Sequence, residues 1–262
     1  MIEDACGDSG EVRVDQTESA WLGVRERISA LRDAWTFADH SPEERNPFWV
    51  GDPLSPDEVA DLESWLGIVL PSDYRAFLML VGAGVSGLEP TLWPVERLES
   101  GEWTWGQCPM ASDQLAMLVQ SFPTERMDSE TRMRACGPPP FEGRYADPND
   151  FTRAFDSWAG KANPGVLARE RTAGALCLTD ELYGDLNLWI IVTGTNRGEV
   201  WLDCRDCNGW WDMHPALNRD GEPAATFQSW FLDRLSDHEL QESSRSDLCP
   251  GRDGQVRSRT AR

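Results

Sequence analysis

The sequence has little positive charge. Its 262 residues include 45 acidic and 24 basic residues, so the formal net charge is −21, and Lys161 is the only lysine. A chain this acidic repels the phosphates of nucleic acids and attracts basic molecules. The composition therefore argues against a nucleic-acid-binding protein and favours a positively charged partner, with solubility alone as the alternative explanation of the charge.

Long apolar runs are also absent. No stretch of the sequence approaches the roughly 18 consecutive apolar residues that a membrane-spanning helix needs. The first fifteen residues, MIEDACGDSGEVRVD, are acidic and lack the apolar segment of a secretory signal. We therefore expect a cytoplasmic protein that does not associate with membranes.

Residues that commonly bind metals are sparse and poorly spaced. The seven cysteines are scattered and odd in number, so a cytoplasmic chain of this length implies no disulfide framework. One pair, Cys204 and Cys207, is followed by His214, and Cys177 could approach from a neighbouring strand. Zinc sites in proteins need four such ligands, and no second pair is evident. Because a Gly-rich phosphate loop is missing as well, we predict neither a metal nor a cofactor.

The pattern of apolar residues divides the chain into three parts. Residues 1–16 show no periodicity and are expected to be flexible, and 241–262 form an Arg-rich tail that is expected to be disordered. The segment 17–240 is predicted to be one domain. Its first helix begins at Thr17, since apolar residues then recur every three or four positions: Trp21, Val24, Ile28, Leu31 and Trp35.

The segment 55–84 encodes two helices joined by a sharp corner. Ser55 and Glu58 form a capping box, and Gly67 ends the first helix. Pro71 bars Leu70 from helical geometry, so the pair forms the corner. The second helix then starts at Pro71 or Ser72, and its buried face is predicted to contain Phe77, Leu78, Leu80 and Val81.

The sequence after residue 90 predicts several strands with helices before and after them. A short edge strand is predicted over 91–98, a helix over 114–119, an irregular excursion over 121–149, and a helix capped by Asp150 after it. Strands are then predicted over 175–179, 186–192, 199–203 and 210–214, and a last helix starts at Thr226. Short turns join these strands, which is typical of a β-meander. The fold class is therefore α+β, an antiparallel-rich mixed sheet flanked by helices.

Three segments resemble the SMI1/KNR4 family of the SUKH superfamily. They are LSPDEVADLESWLGIVLPSDYRAFLMLVGAGV, LCLTDELYGDLNLWIIVTGTNRGEVWLDCRD and TFQSWFLDRL, in that order along the chain. Cys204 and Cys207 depart from the family pattern, which favours acidic or glycine turn residues there, and 121–149 has no counterpart that we recognise. The resemblance implies a single α+β domain without shared catalytic residues. Bacterial members are similar to immunity proteins that neutralise secreted toxins, often nucleases, and fungal relatives are regulatory scaffolds.

The resemblance and the charge together imply a non-enzymatic protein that binds a basic protein toxin, with a nuclease as one candidate. We predict that the contact surface surrounds the loop after the third meander strand, because acids there adjoin large aromatic residues of the kind found in interface hot spots. The tryptophans could instead fold back on the sheet edge. Alternative functions are a regulatory scaffold or a hydrolase whose site contains Asp203, Asp206 and His214. The predicted contact residues are Asp203, Asp206, Trp210, Trp211 and Asp212, with Trp103 and Trp105 nearby.

Overall fold

The first and last described segments are helical, and further helices and short strands lie between them. The computed structural model describes residues 16–37, 48–88, 90–105, 112–124, 136–162, 169–180, 187–203, 213–224 and 226–248. The helices are α1 (Gln16–Ser19), α2 (Val24–Phe37), α3 (Pro56–Leu66), α4 (Ser72–Leu80), α5 (Ser112–Leu118), α6 (Pro148–Ala162) and α7 (Phe227–Leu248). Two 3₁₀ turns cover Glu142–Arg144 and Arg169–Thr172. The strands are β1 (Trp49–Val50), β2 (Val85–Ser86), β3 (Val95–Arg97), β4 (Trp103–Trp105), β5 (Ala175–Asp180), β6 (Asn187–Ile191), β7 (Val200–Asp203) and β8 (His214–Pro215).

The predicted first helix is interrupted. Gly23 has φ +77°, a left-handed conformation that favours glycine, and it separates α1 from α2. Trp21 lies within this interruption, and its side chain is only 1% exposed. Its ring lies 5.4 Å from Phe77, 5.9 Å from Phe227 and 5.7 Å from Phe231, measured between ring centroids. Trp21, Val24, Ile28 and Leu31 are buried as the spacing predicted, but the predicted continuity of the helix was wrong, because the chain leaves the helix after Ser19 and resumes it at Val24.

The capping box at the start of α3 is confirmed. The backbone N–H of Ser55 donates to Oε2 of Glu58 (2.8 Å), and the N–H of Glu58 donates to Oγ of Ser55 (3.3 Å). Gly67 closes the helix with φ +70°, as the sequence predicted. The Leu70-Pro71 corner follows, and the side chain of Leu70 is only 1% exposed.

Helix α4 buries a slightly different face from the predicted one. Phe77, Leu78 and Val81 are buried as expected, but Leu80 is exposed. Tyr74 takes its place in the core, where its ring stacks on Phe77 at a centroid distance of 6.1 Å. Burial raises the pKa of Tyr74, so this phenol stays neutral.

The predicted meander is present as a four-stranded antiparallel sheet in the order β5-β6-β7-β8. Strand β6 is interior, and apolar residues cover both of its faces, as its nearly continuous apolar sequence predicted. Leu188 and Ile190 join the main core, whereas Ile191 packs in a smaller cluster with Phe122 and Trp201. Two further pairs, β1-β2 and β3-β4, form separate two-stranded sheets.

The start of α6 and the end of α7 differ from the prediction, and the strand predicted over 91–98 is shortened to β3, Val95–Arg97. Helix α6 begins at Pro148, and Asp147 rather than Asp150 accepts a hydrogen bond from the N–H of Asn149 (2.8 Å) at its start. Helix α7 continues to Leu248, so the part of the predicted disordered tail from 241 to 248 is helical. The side chain of Glu239 anchors this helix by accepting from Nε and Nη2 of Arg27 on α2, at 2.8 and 2.7 Å.

The buried corner gives a direct test of core packing. We expect Leu70→Ala to lower the free energy of unfolding by about 2–5 kcal/mol, the range for truncating buried leucines. Val69→Ala is the matched control, because that side chain is 67% exposed and surface changes usually cost about 0.5 kcal/mol or less. Chemical denaturation followed by circular dichroism measures both. Equal losses in the two variants would show that the corner is not packed as described.

Candidate functional site

Most of the predicted contact loop lies outside the described residues. This part includes Asp206, Trp210, Trp211 and Asp212. Asp203 ends strand β7, opposite Asn187 on β6, and is buried. The contact role of this loop therefore stays a prediction.

Trp103 and Trp105 lie in the core rather than on the surface. Their side chains in β4 are only 4% and 1% exposed. The ring of Trp105 lies 6.3 Å from that of Tyr74, and Nε1 of Trp103 donates a hydrogen bond to Oδ2 of Asp61 (3.0 Å). The sequence carried a signal for this, since the alternation Trp103-Thr104-Trp105 places both rings on one face of a strand.

The described part of the alternative hydrolase site does not come together. His214 on β8 pairs with Leu202, so these two side chains share one face of the sheet. Asp203, the next residue after Leu202, therefore points to the opposite face. Nδ1 of His214 lies 3.0 Å from the carbonyl oxygen of Pro215.

The described residues contain no cluster of three or more His, Cys, Asp or Glu side chains suited to a metal ion. Cys204 and Cys207 lie outside them, so the predicted absence of zinc stays a prediction. Within the same parts of the chain, every helix is too short or too polar to cross a membrane.

An acidic surface lies on α3 and on the hairpin formed by β3 and β4. Asp61 of α3 connects the two, because its Oδ2 accepts from Nε1 of Trp103 (3.0 Å) and also lies 3.2 Å from Nη2 of Arg97. The side chain of Asp61 is still 44% exposed. We call this surface the acidic face, and its members are Asp57, Asp61, Glu99 and Glu102. Glu96 is excluded, because it pairs with Thr104 and points away from the face that carries Arg97 and Trp103.

Two other carboxylates on α3 stabilise the fold. Glu58 belongs to the capping box, and the hydrogen bonds from the backbone and hydroxyl of Ser55 hold its pKa below the usual glutamate range, with a further contribution from Arg97. Oε1 of Glu63 accepts from the backbone N–H of Leu70 at the corner (2.9 Å). The acids of the acidic face are therefore distinct from those that shape the helix.

The acidic face was not predicted from the sequence. The loop after β7 was predicted as the contact surface instead, because acids and tryptophans are adjacent there in the sequence. The relevant signal was the acidic, outward side of the capped helix, but only the packing of the hairpin against α3 shows that Asp61 and Trp103, 42 residues apart, are in contact.

The fold is a mixed α+β domain built around an antiparallel meander, and its described surface includes an acidic face. Residues 53–230 match the model of the SMI1 / KNR4 family (SUKH-1), and the chain belongs to that family. The match confirms the resemblance seen in the sequence and lies within the predicted domain 17–240. No curated protein and no solved structure matches the chain.

The capping box predicts a pH-dependent contribution to stability. Since the folded state lowers the pKa of Glu58, the ionised carboxylate stabilises the fold at neutral pH, and this contribution is lost as the pH falls through the folded-state pKa. We expect Ser55→Ala to cost about 0.5–2 kcal/mol at neutral pH and less in acid. Thermal melts of the variant and the parent between neutral and acidic pH measure the difference.

Ser72→Ala is the control for this prediction. Ser72 begins α4, and no side chain there makes a capping hydrogen bond, so its loss is expected to have little effect at any pH. A Ser55→Ala cost that stays constant into strong acid would contradict the role assigned to the Glu58 carboxylate.

Proposed function

We propose that this chain is a non-enzymatic binding protein of the immunity type, which neutralises a secreted protein toxin in the cytoplasm. It covers a basic surface of the toxin with acidic side chains. The observation that carries the proposal is the acidic face, combined with membership of the SMI1 / KNR4 family. A nuclease is a favoured target, because a cleft that binds phosphates is basic and an acidic protein can occupy it.

The net charge of −21 supports fast association. A strongly charged protein steers an oppositely charged partner during diffusion, and this raises the association rate at low salt. The acidic face then provides the local complementarity that fixes the orientation of the two proteins. Arg97 is the only basic residue on the β3–β4 hairpin, and it already pairs with Asp61.

Asp61 is suited to anchor the contact. Trp103 and Arg97 both approach the same carboxylate oxygen, Oδ2, so Oδ1 remains available to accept from a partner. The indole of Trp103 is itself buried, and it fixes the carboxylate before binding. A preorganised group loses less conformational entropy when it meets its partner.

The loop after β7 is the second proposed contact surface. Asp206 and Asp212 flank Trp210 and Trp211 in the sequence, and aromatic residues bind with little loss of entropy because they have few rotatable bonds. Asp203 is buried and offers a partner little surface. We assign no catalytic residue, since Asp203 and His214 point to opposite faces of the sheet.

The direct test uses the product of the neighbouring gene. If that gene encodes a large secreted protein with a toxin-like C-terminal domain, co-expression of the present chain is expected to protect cells from that domain, and the two purified proteins are expected to form a complex. A toxin domain that forms no complex and still kills the cells would overturn the proposal.

Charge reversal tests the acidic face itself. We expect the combined change Asp57→Lys, Glu99→Lys and Glu102→Lys to slow association with that toxin domain at least tenfold at low salt and to flatten its salt dependence, because the attractive charge is lost locally. Stopped-flow or surface-plasmon-resonance kinetics at several salt concentrations measure both effects. Asp61→Asn is expected to act mainly by raising the dissociation rate.

The matched control reverses the same number of charges elsewhere. Glu170, Asp220 and Glu222 are exposed and lie outside the acidic face, so their replacement by lysine changes the net charge equally. Equal slowing by the two triple variants would show that only the total charge matters and that the acidic face is not the interface.

A further inference from the structure

An open groove lies at the C-terminal end of α3. It is shallow and widely open to solvent, with a volume of about 400 Å³. Three segments form its walls: Ile68 and Val69 at the corner, Val119 after α5, and 192–194 after β6. A Cβ atom added to Gly67 would lie 4.0 Å from Cγ1 of Val119, so the corner and the end of α5 are close neighbours.

Hydrogen bonds between the walls hold the groove open. Nη2 of Arg197, in the β6–β7 turn, donates to the carbonyl oxygens of Val69 (3.0 Å) and Leu70 (2.7 Å). Oγ1 of Thr193 donates to the carbonyl oxygen of Leu118 at the end of α5 (2.6 Å). The β6–β7 turn therefore fixes both of the other walls, and the groove is preformed.

The groove exposes apolar surface on both sides. Val69 is 67% exposed and Val119 is 57% exposed, and both line the same concavity. Single exposed apolar residues are common on protein surfaces, but apolar side chains gathered around a concavity with a polar rim are typical of interaction sites.

We propose that this groove receives an apolar side chain of the basic protein partner, as the anchor next to the acidic face. This inference rests on the proposed function. Among the described residues that line the groove, only Arg197 is charged, and its positive charge disfavours a lysine or arginine in the groove itself. The cations of the partner therefore meet the acidic face, while a neighbouring apolar side chain enters the groove.

The distances suit a single partner. Helix α3 has 11 residues and is about 16 Å long at 1.5 Å per residue. It carries Asp57 near its start, and the groove lies at its end. A standard interface covers about 800 Å² on each protein, roughly 30 Å across, which exceeds the length of α3.

Two short peptides test this inference without the toxin. The probes are Lys-Lys-Leu-Lys-Lys and Lys-Lys-Ser-Lys-Lys, and the readout is NMR of the whole chain with labelled valine methyl groups and backbone amides. Both peptides are expected to shift amides of the acidic face. Only the leucine peptide is expected to shift the methyl groups of Val69 and Val119, and it is expected to bind more tightly.

Neutral substitutions supply the matched comparison. The double variant Val69→Ser and Val119→Ser is expected to lose the whole affinity difference between the two peptides, whereas Leu22→Ser, at an equally exposed site outside the groove, is expected to keep it. The leucine peptide could saturate the amide shifts of the acidic face without shifting the methyl signals of Val69 and Val119. That result would overturn the groove proposal and leave the role proposed for the acidic face intact. If neither peptide shifts the acidic face, the proposed function loses its support as well.

Discussion

The guanidinium of Arg197 joins two parts of the chain that lie 127 residues apart. It donates to two carbonyl oxygens at the Leu70-Pro71 corner, where Pro71 and the bend leave these groups outside any helix. The bond connects the helical half of the domain to the meander at the β6–β7 turn. Together with the buried side chains of Leu66 and Leu70, it holds α3 in its direction relative to the sheet and so positions the side chains that α3 presents to solvent.

Short-range sequence signals made α3 and the Leu70-Pro71 corner predictable. A capping box, a C-terminal glycine and a proline each act within a few residues, so Ser55, Gly67 and Pro71 could be interpreted without knowledge of the fold. Strand β6 was predictable for a similar reason, since apolar residues cover both of its faces. Gly23 was the exception among local signals, because apolar spacing on both sides of it suggested one uninterrupted helix.

The candidate site was less predictable, because it depends on contacts between distant segments. Composition correctly indicated an acidic chain, but it could not separate carboxylates that cap or brace the backbone from those that face solvent. Trp103 illustrates the difficulty. It was interpreted as an exposed aromatic residue, yet it is buried behind Asp61, and only the pairing of β3 with β4 and the packing of that hairpin on α3 bring the two together.

The division of the acids on α3 has a consequence for how binding specificity can change. Glu58 and Glu63 are committed to backbone hydrogen bonds, so their replacement disturbs the helix or the corner. Asp57, Glu99 and Glu102 are exposed, and most substitutions at such positions change stability by about 0.5 kcal/mol or less. One scaffold can therefore exchange the acids of the acidic face for other residues and adapt to a different partner, while the acids that accept backbone hydrogen bonds keep the helix and the corner in place.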